Sequence, residues 1–343
     1  MKQRHLGSLT ISSIGLGCMG LAQGYGPTSR DEAVTAIHAA LEAGVTLFDT
    51  AMSYREGANE ELVGTALGSA GLAGAKALVA TKADIVRTPE GVRVDARPDR
   101  LRGDALASVR RLDREVIDLY YLHRVDPRFP VEEQVGALAD LVDEGLVRAV
   151  GVSEVTATQL EAATSTTTIS AVQLEWSLAW RAAERDVVPA ARRLGVPVVA
   201  YSPLGRGLLT ADPVSRDPSV SAFRGSDPRF DSTHRGPNTA AAERLTELAG
   251  RWHLSAAALA LAWLLHQGED VVALPGSRRA DRVRDNAAAA DVALAPAAIA
   301  ELDELSAKFV SDRYSPSRCP PPPARRPGDD LALRAACHTT IAP

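Results

Sequence analysis

Gly15-Leu16-Gly17-Cys18-Met19-Gly20 closes the first apolar run of the chain, and its reading decides the fold. The spacing is formally G-x-G-x-x-G, the dinucleotide fingerprint of a doubly wound sheet. In that fold a helix opens at once, because the pyrophosphate rests on its N-terminus. Here Leu21-Ala22-Gln23-Gly24-Tyr25-Gly26-Pro27 follows, a loop by composition. The next helix signal is Ser29 capping Arg30, Asp31 and Glu32, too late to serve. The doubly wound reading fails at this site.

Outward from that stretch the pattern alternates. Upstream, short runs at Leu6–Leu9 and Ile11–Leu16, split by Gly and Ser, predict a hairpin and then a first strand, Ile14–Gly17. Downstream, helical patterns alternate with apolar runs at Val45–Phe48, Ala77–Thr81, Val116–Leu122, Arg148–Val152, Ile169–Leu174, Val196–Tyr201 and Val271–Leu274. Eight strands, each followed by a helix, predict a parallel sheet with right-handed crossovers. Closure as a (β/α)8 TIM barrel is the economical solution, with chemistry at the C-terminal strand ends. Pro296–Lys308 reads as an extra C-terminal helix, and Gly205–Pro237 as a long functional lid. The barrel is thus expected over residues 1–314. From Ser315 onward the Pro-rich texture reads as a disordered or weakly docked tail.

Composition sets outer bounds. The 343 residues are 45% hydrophobic and 24% charged with a net charge of −5, which describes a soluble globular chain and gives no reason to expect nucleic acid. No run matches a membrane span or a signal peptide, and Cys18, Cys319 and Cys337 form no disulfide or metal pattern. A cytoplasmic location without membrane partners is the expectation. Only four of the 38 basic residues are lysines, so a lysine kept at a strand end points to its amine.

That lysine is Lys82. The neighbouring strand ends deliver Asp49 and His123, and Tyr54 follows Asp49 by five residues. A phenol titrates near ~10, and an ammonium beside it stabilises the phenolate and lowers that value. A carboxylate fixes the ammonium, and a neutral imidazole polarises a carbonyl. Together the four residues read as a proton-donating site for carbonyl reduction. It needs a reductant, and a nicotinamide fits the remaining ends: Ser153 and Gln173 for a carboxamide, Tyr201 for stacking. The run Arg278, Arg279, Arg282 and Arg284 suits phosphate, above all a ribose 2′-phosphate.

The chain also resembles the aldo-keto reductases, from about Arg4 to Tyr314. The motifs are Gly15–Gly20, Phe48-Asp49-Thr50-Ala51 with Tyr54, and Asn59-Glu60-Glu61-Leu62-Val63-Gly64. Ile117–Pro127, Gly151-Val152-Ser153-Glu154, Tyr201–Gly207 and Leu274-Pro275-Gly276-Ser277 complete them. They are most similar to the general bacterial and plant-type branch. The resemblance implies NADPH-dependent reduction of aldehydes or ketones, with Tyr54, Lys82, Asp49 and His123 catalytic. It puts nicotinamide contacts on Ser153, Gln173 and Tyr201. Phosphate contacts fall on Ser202, Leu204, Arg206, Gly276, Ser277 and Arg278, and adenine near Arg282, Asp285 and Asn286. Glu154 stands where many relatives have Asn.

Tyr25, Met52, Ser53, Trp176 and Trp180 are expected at the substrate mouth, with Phe223 or Phe230 from the long loop. A second reading comes from the same family, whose potassium-channel β subunits bind the cofactor mainly to influence a partner. The sequence leaves open the physiological substrate, the direction of flux and the oligomeric state, a homo-oligomer among the alternatives.

Overall fold

The first crossover helix shows how local chemistry sets the alternation. Ser29 caps α1 (Arg30–Glu42) in a full capping box: its hydroxyl accepts the Glu32 N–H while the Glu32 carboxylate accepts the Ser29 N–H. A second box, Thr156 with Gln159, opens the helix Ala157–Thr166. A computed structural model describes residues 1–88, 91–212 and 217–310, so the expected tail from Ser315 lies outside the described residues.

An antiparallel hairpin, β1 (Gln3–Leu6) and β2 (Leu9–Ser12), precedes the barrel, as the sequence leads one to expect. The barrel strands are β3 (Leu16–Gly17), β4 (Leu47–Asp49) and β5 (Leu78–Lys82), then, after a small excursion, β8 (Leu119–Leu122) and β9 (Val150–Ser153). β10 (Ile169–Glu175), β11 (Val198–Tyr201) and β12 (Val271–Leu274) follow. All eight are parallel and neighbours in chain order. A parallel bridge between Ile14 and Ala273 closes the ring, with Gly15 N–H donating to the Ala273 carbonyl at 2.9 Å.

Burial on both faces explains why these strands are almost uniformly apolar. Inside, Leu47, Ala80, Leu119, Tyr121, Ala149, Ala171, Val199 and Val272 form one cluster, into which Leu6, Leu9 and Ile11 of the hairpin pack as a plug. Gly151 makes room for Tyr121: a Cβ there would sit 2.4 Å from its ring. Outside, the helices form the larger core, including the wholly apolar Ala256–Leu265. The extra helix, Pro296–Ser306, opens on proline and buries Leu302 and Leu305.

Two differences from expectation matter. The strand expected over Val116–Leu122 begins at Leu119, because the Asp118 carboxylate instead accepts the Val79 N–H from the neighbouring strand. The excursion after β5 is a hairpin, β6 (Ile85–Thr88) with β7 (Gly91–Val94), whose four-residue arms are too short to show periodicity.

Candidate active site

Asp49 and Lys82 end adjacent strands, and their side chains meet there. The Lys82 ammonium, 1% exposed, contacts Asp49 Oδ1 and donates to the Thr50 carbonyl at 2.6 Å. Gln173 on β10 donates to Asp49 Oδ2 at 2.8 Å. Burial alone would lower the lysine, but Asp49 and Tyr54 hold it above its ordinary value, so the amine is a cation. Tyr54 stands over it, Nζ lying 5.4 Å from the ring centroid, and meets His123 edge-on at 6.1 Å between centroids. The chain turns away at once: Arg55, Glu56 and Gly57 all take left-handed φ angles of 48°, 55° and 92°. Arg55 N–H is held by Gln23 Oε1 at 2.8 Å.

The electrostatics correct one expectation. Enclosure raises the Tyr54 phenol above its ordinary value, and the opposing pull of Lys82 does not reverse this. The phenol is a loaded donor, with a cation ready for the phenolate. Enclosure, then Arg124 and Lys82, push His123 well below the usual imidazole range, so it is neutral at pH 7. Its Nδ1 is buried and makes no hydrogen bond.

Helix α2 (Ala58–Ser69) braces this end. Thr50 donates to Asn59 Oδ1 at 2.6 Å, Asn59 to the Cys18 carbonyl at 3.0 Å, and Thr81 to Glu60 Oε1 at 2.5 Å. Gly64 lets α2 touch the backbone of Leu112, which a Cβ would approach to 2.5 Å. The Asn59–Gly64 motif is therefore a mounting for Asp49 and Lys82.

A cavity of about 1110 Å³ runs from these residues across the strand ends. Ser153, Gln173 and Tyr201 line it near Tyr54 and His123; Ser202, Leu204 and Arg206 continue, and Gly276, Ser277, Arg278, Arg282, Asp285 and Asn286 line the far end. Gly17 and Gly276 cross at the floor, where a Cβ on Gly276 would lie 2.8 Å from the Gly17 carbonyl oxygen. Hydroxyl and amide groups beside a phenol at one end, a bare-backbone floor and arginines at the other suit a dinucleotide.

The family model described as Aldo/keto reductase family matches residues 13–307. The chain belongs to the aldo/keto reductase family. A probable aldo-keto reductase 1 from Glycine max is 39% identical over 296 residues, 86% of this chain and 85% of that protein. The structure of the glycerol dehydrogenase AKR11B4 from Gluconobacter oxydans superposes with a TM-score of 0.81 at 31% identity, over 92% of this chain and 97% of that one. An aldo-keto reductase from Klebsiella pneumoniae, solved in complex with NADPH, gives 0.68 at 26% identity over 89% and 96%. Family and neighbours together support an oxidoreductase that binds a nicotinamide cofactor.

On this reductase barrel several expected residues take other places. Trp176 is buried in the outer core, its indole donating to Glu184 at 2.8 Å, and does not line the cavity. Met52 sits in the turn before Tyr54 and also misses the cavity wall, whereas Ser53, likewise expected at the mouth, lines it. Trp180 packs under Arg229, and Phe230 is buried with Leu208 and Ala242, so Phe223 and Tyr25 are the aromatics at the mouth. Of the arginine run, Arg279 pairs with Asp281 and Arg284 with Glu42 on the outside; only Arg278 and Arg282 line the cavity. Arg206 lines it too, but its Nη1 donates to Asp227 at 2.7 Å. Glu154 has a φ of 56°, a left-handed conformation in which Asn is favoured over Glu.

The residues without a sequence signal are Arg124, Asp84 and Arg224. Arg124 follows His123 in the Ile117–Pro127 motif, which assigns it no role. Asp84 accepts the backbone N–H of His123 at 2.7 Å and of Arg124 at 3.2 Å. Arg224, from the long segment after β11, stacks 4.9 Å above Tyr25 and donates to the Arg206 carbonyl at 2.9 Å.

Proposed function

We propose that this chain is an NADPH-dependent reductase of aldehydes and ketones with Tyr54 as general acid. The observation that carries the reading is the meeting of Tyr54, the Lys82–Asp49 pair and neutral His123 at one end of a dinucleotide-sized cavity. When bound, the nicotinamide supplies the hydride. The chain's own residues do the rest. Neutral His123 donates an N–H to the carbonyl oxygen and orients it. Tyr54 passes its hydroxyl proton to that oxygen as negative charge develops there. Lys82 stabilises the phenolate left behind, and Asp49, fixed by Gln173, keeps Lys82 in place. Arg278 and Arg282 would meet the cofactor's phosphates, and Arg282 is already oriented by Asp212 at 2.5 Å.

The test is turnover of 4-nitrobenzaldehyde with NADPH and NADH in parallel, for wild type and Tyr54→Phe. The reading expects wild-type turnover, faster with NADPH, and a loss of about 10²-fold or more in the variant. Equal rates for the two proteins refute the role of Tyr54. Quenching of cofactor fluorescence without any turnover favours a cofactor-sensing protein on the same barrel.

A further inference from the structure

We propose, building on the reductase reading, that Thr50 and Asn59 are positioning residues: together they aim the Lys82 ammonium at the Tyr54 hydroxyl, and proton donation depends on them.

An ammonium has three donors. Two are committed, one to Asp49 Oδ1 and one to the Thr50 carbonyl at 2.6 Å. Those two acceptors fix the direction of the third. Tyr54, whose phenol feels the ammonium both as a charge and as a hydrogen-bond donor, is the titratable neighbour left to it. The Thr50 carbonyl therefore sets the aim of Lys82 as much as Asp49 does. A side-chain relay locates that carbonyl. Thr50 and Asn59 are both fully buried. Asn59 Nδ2 donates to the Cys18 carbonyl at 3.0 Å, and Thr50 Oγ1 lies 2.6 Å from Asn59 Oδ1. A carbonyl only accepts, which fixes the orientation of the amide and makes the Thr50 hydroxyl the donor. The Cys18 N–H donates in turn to the Asp49 carbonyl at 2.8 Å. The relay thus returns to the residue that holds Lys82 from the other side.

The helix that carries Asn59 is itself fixed in place. Gly57, at its left-handed φ, lets α2 open immediately after the Tyr54 turn, and Gly64 sets its depth against Leu112. The next residue, Glu60, is also fully buried; it takes the Thr81 hydroxyl on one oxygen and Arg111 Nε on the other, at 2.6 Å. Consecutive helix residues point about 100° apart. One turn of α2 therefore holds both Thr50, next to Asp49, and Thr81, next to Lys82. A buried hydroxyl–amide pair adds little net stability over an apolar pair of the same shape. Only the polar pair fixes the Thr50 peptide, and with it the direction of the ammonium. Direction matters at this point, since a displacement of about 1 Å at a reacting group can cost about 10²-fold in rate.

Reduction of 4-nitrobenzaldehyde with NADPH tests this in wild type, Thr50→Val, Thr50→Ser and the double variant Thr50→Val/Asn59→Leu, with melting temperatures alongside. Thr50→Val removes the hydroxyl and keeps the shape. Its kcat is expected to fall about tenfold or more, with KM for the aldehyde within about twofold of wild type. A misaimed ammonium stabilises the phenolate less and raises the phenol further, so the basic limb of kcat moves to higher pH. Thr50→Ser keeps the hydroxyl and retains most of kcat. The double variant leaves no side-chain acceptor stranded and recovers melting temperature over Thr50→Val, while its kcat stays low. Recovery of kcat together with stability would make the pair structural and overturn the proposal. So would a folded Thr50→Val with the kcat and basic limb of wild type. Either result leaves the reductase reading standing. A wild type that does not turn over the aldehyde brings down that reading, and this proposal with it.

Discussion

His123 is neutral because it is enclosed between cations, and that has a price in acid. In the unfolded chain an imidazole takes up its proton near pH ~6.5; in the fold it does so only well below that. The unfolded state therefore binds more protons as pH falls below that value, and stability drops there, by up to ~1.4 kcal/mol per pH unit for one group. Above it the contribution is constant. Urea midpoints measured from pH 7 to 5 should fall less steeply for His123→Gln than for wild type. Asp84 shifts the other way, its carboxyl raised well above the ordinary value by burial. Asp84→Ala leaves the His123 and Arg124 amides without their acceptor. A loss of about 1–3 kcal/mol in urea unfolding is expected, together with lower kcat; Asp84→Asn, which keeps an acceptor oxygen, should lose less of both.

At the scale of elements, the parallel strands and their helices were legible because each is long, apolar or cleanly capped. Ser29 with Glu32 announces its helix, and Gly64 marks a close contact that only packing explains. Gly64→Ala would press a methyl into the Leu112 carbonyl; a loss of about 1–3 kcal/mol is expected from such overpacking, read as a lower melting temperature. The strand ends of the candidate site were legible for the same reason: Asp49, Lys82 and His123 each stop an apolar run. What the sequence hid is lateral. Trp176 and Met52 follow strand ends as Tyr54 does, yet the backbone turns them into the outer core or a tight turn. Arg224 lies in a segment without periodicity, where no spacing aims a side chain. That segment is anchored by charge: Arg206 and Arg229 pair with Asp227 and Glu175, all four nearly fully buried. Arg229→Met removes one of the two guanidinium partners of buried Glu175 and Asp227. An unfolding cost of about 3–5 kcal/mol and faster proteolysis within residues 217–230 are expected.

For the whole molecule, the alternation of helix and strand carried the barrel, while the closure could not be read from any single segment. Ser13, Ile14, Gly15 and Gly17 meet Ala273 and Pro275 along a handful of backbone hydrogen bonds, from opposite ends of the barrel chain. The cavity floor crosses that line at Gly17 and Gly276. So the joint that must find its partner across the greatest chain separation, and is least helped by neighbours during folding, lies under the proposed cofactor. A dinucleotide laid there acts as a splint. Amide hydrogen exchange at Gly15, Gly17 and Ala273 should slow on adding NADP⁺, by more than at the far-side strands β8 and β9. The coenzyme would then be part of what keeps this ring shut.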